Sequence, residues 1–288
     1  MEQIVISGLA MGSIYALIAL SFVLIYNAVG VVNFATGEIV MLGAFLGTTA
    51  ITQLQLNPVL AYIAACALMV FFGYSFNLIT YYPLRGQSFL PIALSTLAAS
   101  IIMRNVALII WGANPLSMRG VLGSGVWHLG TVVIVPQNIV IFIVTLVLLV
   151  LQHLFFTHTR WGRMMRAVAQ DQDVAKLMGI KVNLMIGLTY AYAGFLGGVA
   201  GLLVAPIFFV TTGMGFAVAM KAFTASIVGG FGSIPGAIVG GLFIGLVEIL
   251  GAAYVSSVYK DAFAFIILIL VLLVRPQGFF GEKIAEKA

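Results

Sequence analysis

Long apolar runs separated by short polar, glycine or proline breaks dominate the chain. They fall near residues 5–26, 33–52, 58–80, 90–112 and 136–157, and again near 185–206, 213–230, 236–253 and 262–274. Most approach the roughly 20 residues that a helix needs to cross ~30 Å of hydrocarbon. The pattern therefore predicts an all-α fold, a polytopic transmembrane helical bundle. The runs at 33–52 and 213–230 are weaker, being Gly-rich, charged at one position and preceded by Asn, Thr or Gly breaks. Either can be broken or re-entrant, which sets the count at eight or nine spans.

One stretch departs from this pattern. Residues 160–181, RWGRMMRAVAQDQDVAKLMGIK, hold Arg160, Arg163, Arg166, Asp171, Asp173, Lys176 and Lys181. RWGRMMRAVAQ is expected to continue the fifth span as an amphipathic helix. DQDVAKLMG is expected to form a short helix with Asp171 as N-cap and Gly179 as its stop. An ordinary cationic loop at a headgroup surface is the plainer reading, but Asp171 and Asp173 would be repelled there. A capped helix presenting Ala175, Leu177 and Met178 beside mixed charges suits a protein groove better. The organisation expected is one membrane domain over 1–288: spans to 157, a cytoplasmic loop at 158–184, spans over 185–275 and a cytoplasmic tail at 276–288.

Composition agrees with a membrane protein, since 62% of 288 residues are hydrophobic, 7% are charged and the mean hydropathy is +1.19. The N-terminus lacks the basic region and cleavage site of a secretory signal, so the first run is expected to be retained. The net charge of +5 reports topology rather than nucleic-acid binding. With the polar loop inside, Arg85, Arg160, Arg163, Arg166, Lys176, Lys181, Arg275, Lys283 and Lys287 are inner, and only Arg119 and Lys260 are outer. The positive-inside rule then places the N-terminus outside and the C-terminus inside. Cys66 sits in an apolar run and reads as a small buried hydrophobe.

Small residues recur at four-residue spacing, at Gly8/Gly12, Gly43/Gly47, Gly194/Gly198, Gly197/Gly201, Gly236/Gly240 and Gly241/Gly245. Such pairs allow close helix approach, either within this chain or along a seam with a second subunit. The halves also echo each other. A Gly-containing span, a break at YNAVGVVNFATG and a span carrying Glu38 are followed, after the loop, by a Gly-rich span, a break at TTGMG and a span carrying Lys221. Five spans separate the starts of the two units, so the second would be an inverted copy, an arrangement that recurs in transporters.

Enzyme signatures are absent: there is no G-x-x-x-x-G-K-[ST] and no H-E-x-x-H. His128, His153 and His158 are scattered and read as interfacial anchors, so no metal or other cofactor is expected in this chain. The chemistry that remains is intramembrane charge. Residues 31–50 hold eight Leu, Ile, Val or Phe, worth roughly 2.4–4.8 kcal/mol on insertion scales, against about 2.5–3.5 kcal/mol for one carboxylate. Glu38 must therefore face the bundle or a polar path. Asn33, Thr36, Glu38, Lys221 and Thr224 are the candidates for lining such a path, with Glu38 and Lys221 either paired directly or acting separately.

The polar loop RWGRMMRAVAQDQDVAKLMGIK resembles the cytoplasmic coupling loop of permeases in the high-affinity branched-chain amino acid ABC importers. GLAMGSIYALIALSFVLIYNAVGVVNFATGEIVMLGAF is similar to the opening of the H subunit of these Liv-type systems, and AMKAFTASIVGGFGSIPGAIVGGLFIGLVE to its C-terminal signature. The resemblance implies a permease subunit of the bacterial cytoplasmic (inner) membrane, not an enzyme. It implies a second related permease as heterodimer partner, two cytoplasmic ATPase subunits and a periplasmic or lipid-anchored solute-binding protein. Coupling to the ATPases would then fall to Arg163, Arg166, Ala167, Asp171, Asp173, Ala175, Leu177 and Gly179. Relatives carry branched-chain amino acids, and others carry urea or short amides. A self-sufficient ion-coupled transporter, for which Glu38 would also serve, is the reading of a different class.

Overall fold

A computed structural model describes residues 2–123, 125, 127–129 and 132–281, with His128, Leu129, Val132, Val133 and Ile134 described in their backbone only. The expected tail is thus seen to Gly281, and Ser124, Lys283 and Lys287 lie outside the described residues. Among the described residues, eleven α-helices run in the order α1 Glu2–Val29, α2 Thr36–Thr52, α3 Pro58–Thr80, α4 Phe89–Trp111, α5 Pro136–His158, α6 Arg160–Gln170, α7 Gln172–Leu177, α8 Val182–Val204, α9 Met214–Gly229, α10 Ile234–Tyr254 and α11 Lys260–Val274. The chain is an all-α membrane bundle. One small departure is an antiparallel pair of strands, β1 Trp127–Leu129 and β2 Val132–Ile134, between α4 and α5.

Among the described residues, six helices are long and apolar enough to cross a membrane, namely α1, α3, α4, α5, α8 and α10. α2 and α9 have 17 and 16 residues, about 25 Å each and short of ~30 Å of hydrocarbon. Each is preceded by non-helical chain, and a buried break is stable only if its backbone groups find partners. At the first break the Asn33 side-chain Oδ1 accepts from Ala35 N, its carbonyl accepts from Thr36 Oγ1, and Thr96 Oγ1 accepts from Phe34 N. At the second, Leu116 and Val210 exchange two backbone hydrogen bonds of 3.0 and 2.8 Å. That bridge ties the stretch leading into α9 to the loop after α4. The far end of α9 is tied too, because Phe279 N and Phe280 N donate to the carbonyls of Val228 and Gly229.

α1 occupies the centre, with 94% of its most apolar window buried against 28%, 33% and 22% for α3, α4 and α5. Its glycines explain how it fits there. A Cβ at Gly12 would lie 2.7 Å from the Leu242 Cα, and one at Gly245 would lie 2.2 Å from the Gly12 nitrogen. α1 and α10 therefore touch backbone to backbone. The other paired glycines also pack within this chain, Gly43 on Gly198 and Gly240 on Ala225 among them, which assigns the small-residue pairs to internal packing. α2 and α9 meet at their first turns: a Cβ on Gly37 would strike the Gly215 carbonyl at 2.7 Å, and one on Gly215 would strike the Gly37 carbonyl at 2.2 Å. The two units of the sequence echo thus converge on one point, helix start against helix start.

Two faces are distinguishable. Asn138 Nδ2 reaches Ser7 Oγ on the face that carries the hairpin, and Gln172 Nε2 donates to the Ala28 carbonyl at 2.6 Å on the face that carries α6 and α7. The described ends of the chain, near Ser7 and near Gly281, lie on opposite faces.

Candidate functional site

Two charge constellations sit within the bundle. In the first, Glu38 occupies the first turn of α2, where the helix dipole favours a carboxylate. Its Oε1 accepts from Arg104 Nη2 of α4 at 2.6 Å. Glu38 is sealed, whereas the Arg104 side chain is 41% exposed. The guanidinium carbon lies 5.5 Å from the Phe216 ring centroid on α9. Glu38 forms the polar end of a shallow, otherwise apolar cleft whose walls include Phe22, Phe34, Phe216, Met220 and Phe223.

The second constellation gathers α1, α9, α10 and α11. Glu248, fully buried on α10, accepts from Tyr15 Oη at 2.6 Å and faces Lys221 Nζ at 2.8 Å and Lys260 Nζ at 3.2 Å. Lys221 also meets Asp261 at 2.5 Å. Two cations and two carboxylates balance, and the tyrosine satisfies a second carboxylate oxygen, so the low-dielectric cost of burying these charges is offset locally. Glu38 and Lys221 therefore do not pair with each other; each has its own partner.

Among the path candidates, Asn33 and Thr36 are buried and build the turn before α2, and Thr224 is buried one turn beyond Lys221. Arg104, Glu248, Asp261 and Tyr15 were not singled out from the sequence. Glu248 was legible in principle: a carboxylate inside the apolar run 236–253 carries the same insertion penalty that marks Glu38.

On the loop face the chain breaks after α5. Thr159 is extended, accepts from Gly162 N and donates to the Phe155 carbonyl. α6 is therefore a separate helix set at a corner, not a continuation of the fifth span. Gly162 allows that corner, since a Cβ there would lie 2.2 Å from the Phe155 carbonyl. Met165 and Val168 face inward while Arg163 and Arg166 face out, with Ala167 between. Asp171 caps α7 by accepting from Asp173 N and Val174 N, both at 2.9 Å, and Gly179 closes it at φ +80°.

The exposed face of α7 differs from the expected one. Ala175 is 1% exposed, so its side chain belongs to the interior and not to the outward face. Val174, Leu177 and Met178 are the exposed apolar residues. A cavity of ≈ 980 Å³ opens on this same face beside α6, with Arg166, Gln170, Asn27, Phe231 and Gln277 in its walls.

Comparison with known proteins places the chain among transport proteins. A family described as the branched-chain amino acid transport system, permease component, matches residues 4–272. The high-affinity branched-chain amino acid transport system permease protein BraD of Pseudomonas aeruginosa is 37% identical, over 99% of this chain and 97% of its own. The corresponding permease protein LivH of Escherichia coli K12 is 34% identical over the same shares. Among solved structures, PsaBC from Streptococcus pneumoniae in complex with Fab is similar at a TM-score of 0.51 and 15% identity, covering 96% of this chain and 92% of that one. This last likeness concerns the fold alone.

Proposed function

This chain belongs to the branched-chain amino acid transport permease family, and we propose that it forms the translocation path of an ATP-driven importer for leucine, isoleucine, valine or related amino acids. It is a transport subunit and not an enzyme, so ATP hydrolysis falls to separate chains. The observation that carries the reading is the meeting of α2 and α9 at Gly37 and Gly215. Two short helices after non-helical breaks, one bearing Glu38 and the other Lys221, are the form in which transporters place charge near a path.

Coupling is assigned to α6 and α7. They project from the loop face, and the Gln172 bond to the end of α1 links them to the central helix. ATPase subunits would meet Leu177, Met178 and Val174 with Arg163 and Arg166 alongside. A second permease would cover part of the apolar outer surface of α3, α4, α5 or α11, and a solute-binding protein would approach the hairpin face. In this arrangement the hairpin face is outside the inner membrane and the α6–α7 face is cytoplasmic.

Uptake of radiolabelled leucine in cells lacking and then regaining the gene tests the reading. Uptake is expected to follow the gene, to survive an uncoupler while ATP is maintained, and to be competed by isoleucine and valine. Collapse of uptake with the ion gradient alone would replace the reading by ion-coupled transport. Competition by urea or acetamide but not by valine would move the substrate to amides.

A further inference from the structure

We propose that Glu38 and Arg104 together form a subsite for a zwitterion, with the substrate's ammonium on Glu38 and its carboxylate on Arg104. The proposal rests on the transport reading above and names the part of the substrate that this chain recognises. Four observations lead to it. Only two charge constellations stand within the bundle among the described residues, and they differ in how completely they are satisfied. Around Glu248 two cations, two carboxylates and a tyrosine hydroxyl close on one another, which leaves little for a ligand. The Glu38–Arg104 pair is open instead. One guanidinium nitrogen holds Glu38, the side chain is 41% exposed, and Nε is buried without a hydrogen-bond partner among the described residues.

A guanidinium donates five N–H bonds in a planar fork that fits a carboxylate with two parallel hydrogen bonds. An orphaned Nε is a donor awaiting an acceptor. The third observation is the exposed aromatic rim of the shallow cleft beside Glu38, formed by Phe34 and Phe216, an apolar surface of the kind over which a branched aliphatic side chain would lie. Phe34 and Phe216 are themselves exposed, at 40% and 54%, so the cleft opens where the guanidinium does. The fourth is electrostatic. When empty, the pair neutralises itself; when loaded, a zwitterion replaces one internal ion pair by two, and the site stays neutral in both states. A monoanion or a monocation would leave Glu38 or Arg104 unpaired in a low-dielectric place, at the cost that makes unpaired buried charge rare. Selection for a substrate with both charges follows from the pair itself.

The test uses the intact transport assembly in nanodiscs, with Cys66→Ala to remove the native thiol and Phe34→Cys to place a reporter at the cleft mouth. Leucine is expected to slow alkylation of that thiol roughly fivefold at about four times its dissociation constant, as simple occupancy requires. 4-Methylpentanoate and isopentylamine, each carrying one of the two charges, are expected to slow it little. Glu38→Gln should invert the preference, because Arg104 is then free to hold the monoanion: 4-methylpentanoate now protects and leucine protects less. The double variant Glu38→Gln with Arg104→Gln leaves no uncompensated charge, so it should reach the membrane in normal amount yet lose protection by every ligand and lose leucine uptake. A purely structural pair gives the opposite result, with the double variant retaining uptake and Glu38→Gln leaving ligand preference unchanged, and either finding overturns the proposal. Leucine that is imported but protects no better than its analogues overturns the subsite alone. Leucine that is neither imported nor protective overturns the transport reading with it.

Discussion

Glu248 carries more of the buried electrostatics than any other residue, because one carboxylate serves Tyr15, Lys221 and Lys260 at once. Glu248→Leu would leave two ammonium groups facing each other with Asp261 as their remaining counter-charge. Breaking a buried pair costs about 3–5 kcal/mol, and the surviving Asp261 contact puts the expected loss near the lower end. Thermal unfolding of the purified chain and its abundance in the membrane would both fall. Asp261→Asn should cost much less, since that side chain is 71% exposed and exposed pairs contribute about 0–1 kcal/mol. Glu38 and Lys221 share no partner, so the losses of transport in Glu38→Gln and Lys221→Met are expected to add in the double variant. A double variant no worse than either single one would mean that the two charges act as a unit.

At the scale of elements, α7 separates docking from folding. Leu177 and Met178 are 88% and 71% exposed, so Leu177→Asp should leave the chain at normal abundance while ATPase subunits co-purify poorly and uptake falls at least tenfold. Ala175→Arg should act differently, placing a long charged side chain where the α6–α7 corner is packed and lowering abundance itself. Asp171→Ala removes the cap and should destabilise α7 by about 1 kcal/mol, seen as faster amide exchange at Asp173 and Val174. The contrast shows what can be read from a sequence here. Helices such as α3 and α5 lie within a residue of their apolar runs, because run length and the proline or polar breaks at their starts set both ends. Asp171 and Gly179 were legible as cap and stop because those roles are local. The side of α7 that Ala175 faces was not, since a six-residue helix takes its rotation from α6 and α8. The break at Thr159 hid behind a continuous amphipathic pattern, and it is the extended, capping Thr159 and the tight approach of Gly162 to Phe155 that reveal the corner. Likewise Glu38 was recognisable as a charge needing company, but its companion Arg104 lies 66 positions away on a helix whose own pattern says nothing about which neighbour it meets.

For the whole molecule, the structure separates a hairpin face from an α6–α7 face, and the excess of Lys and Arg on the second is the ground for proposing that it is cytoplasmic. Single cysteines at Ser7 and Gln172, in a Cys66→Ala background, should label from opposite sides of an intact membrane, Ser7 from outside and Gln172 only after permeabilisation. Labelling of position 172 from outside would reverse the assignment of the coupling face. The core of the bundle also has a consequence for tolerance. Gly12 and Gly245 bring α1 and α10 together without side chains between them, so Gly12→Val should prevent assembly of the bundle outright, whereas a valine at Gly86, with open space around it but φ +84°, should cost only local backbone strain.

The ties at the two ends of α9 carry a mechanical meaning. The helix is fastened near one end by the Leu116–Val210 bridge and at the other by Phe279 and Phe280 on Val228 and Gly229. Sliding along its axis would break two backbone hydrogen bonds at either end together, and those groups have few other partners to turn to. Rolling about its axis would pull Lys221 off Glu248 and Asp261. Between the tethers α9 bears on α2 through Gly215 against Gly37, with the Cβ atoms of Ala219 and Met41 beside them. α9 is thus pinned against sliding at its ends and against rolling by Lys221, whose pairs tie it to α10 and α11, so it is a fixed strut that keeps Phe216 beside Arg104.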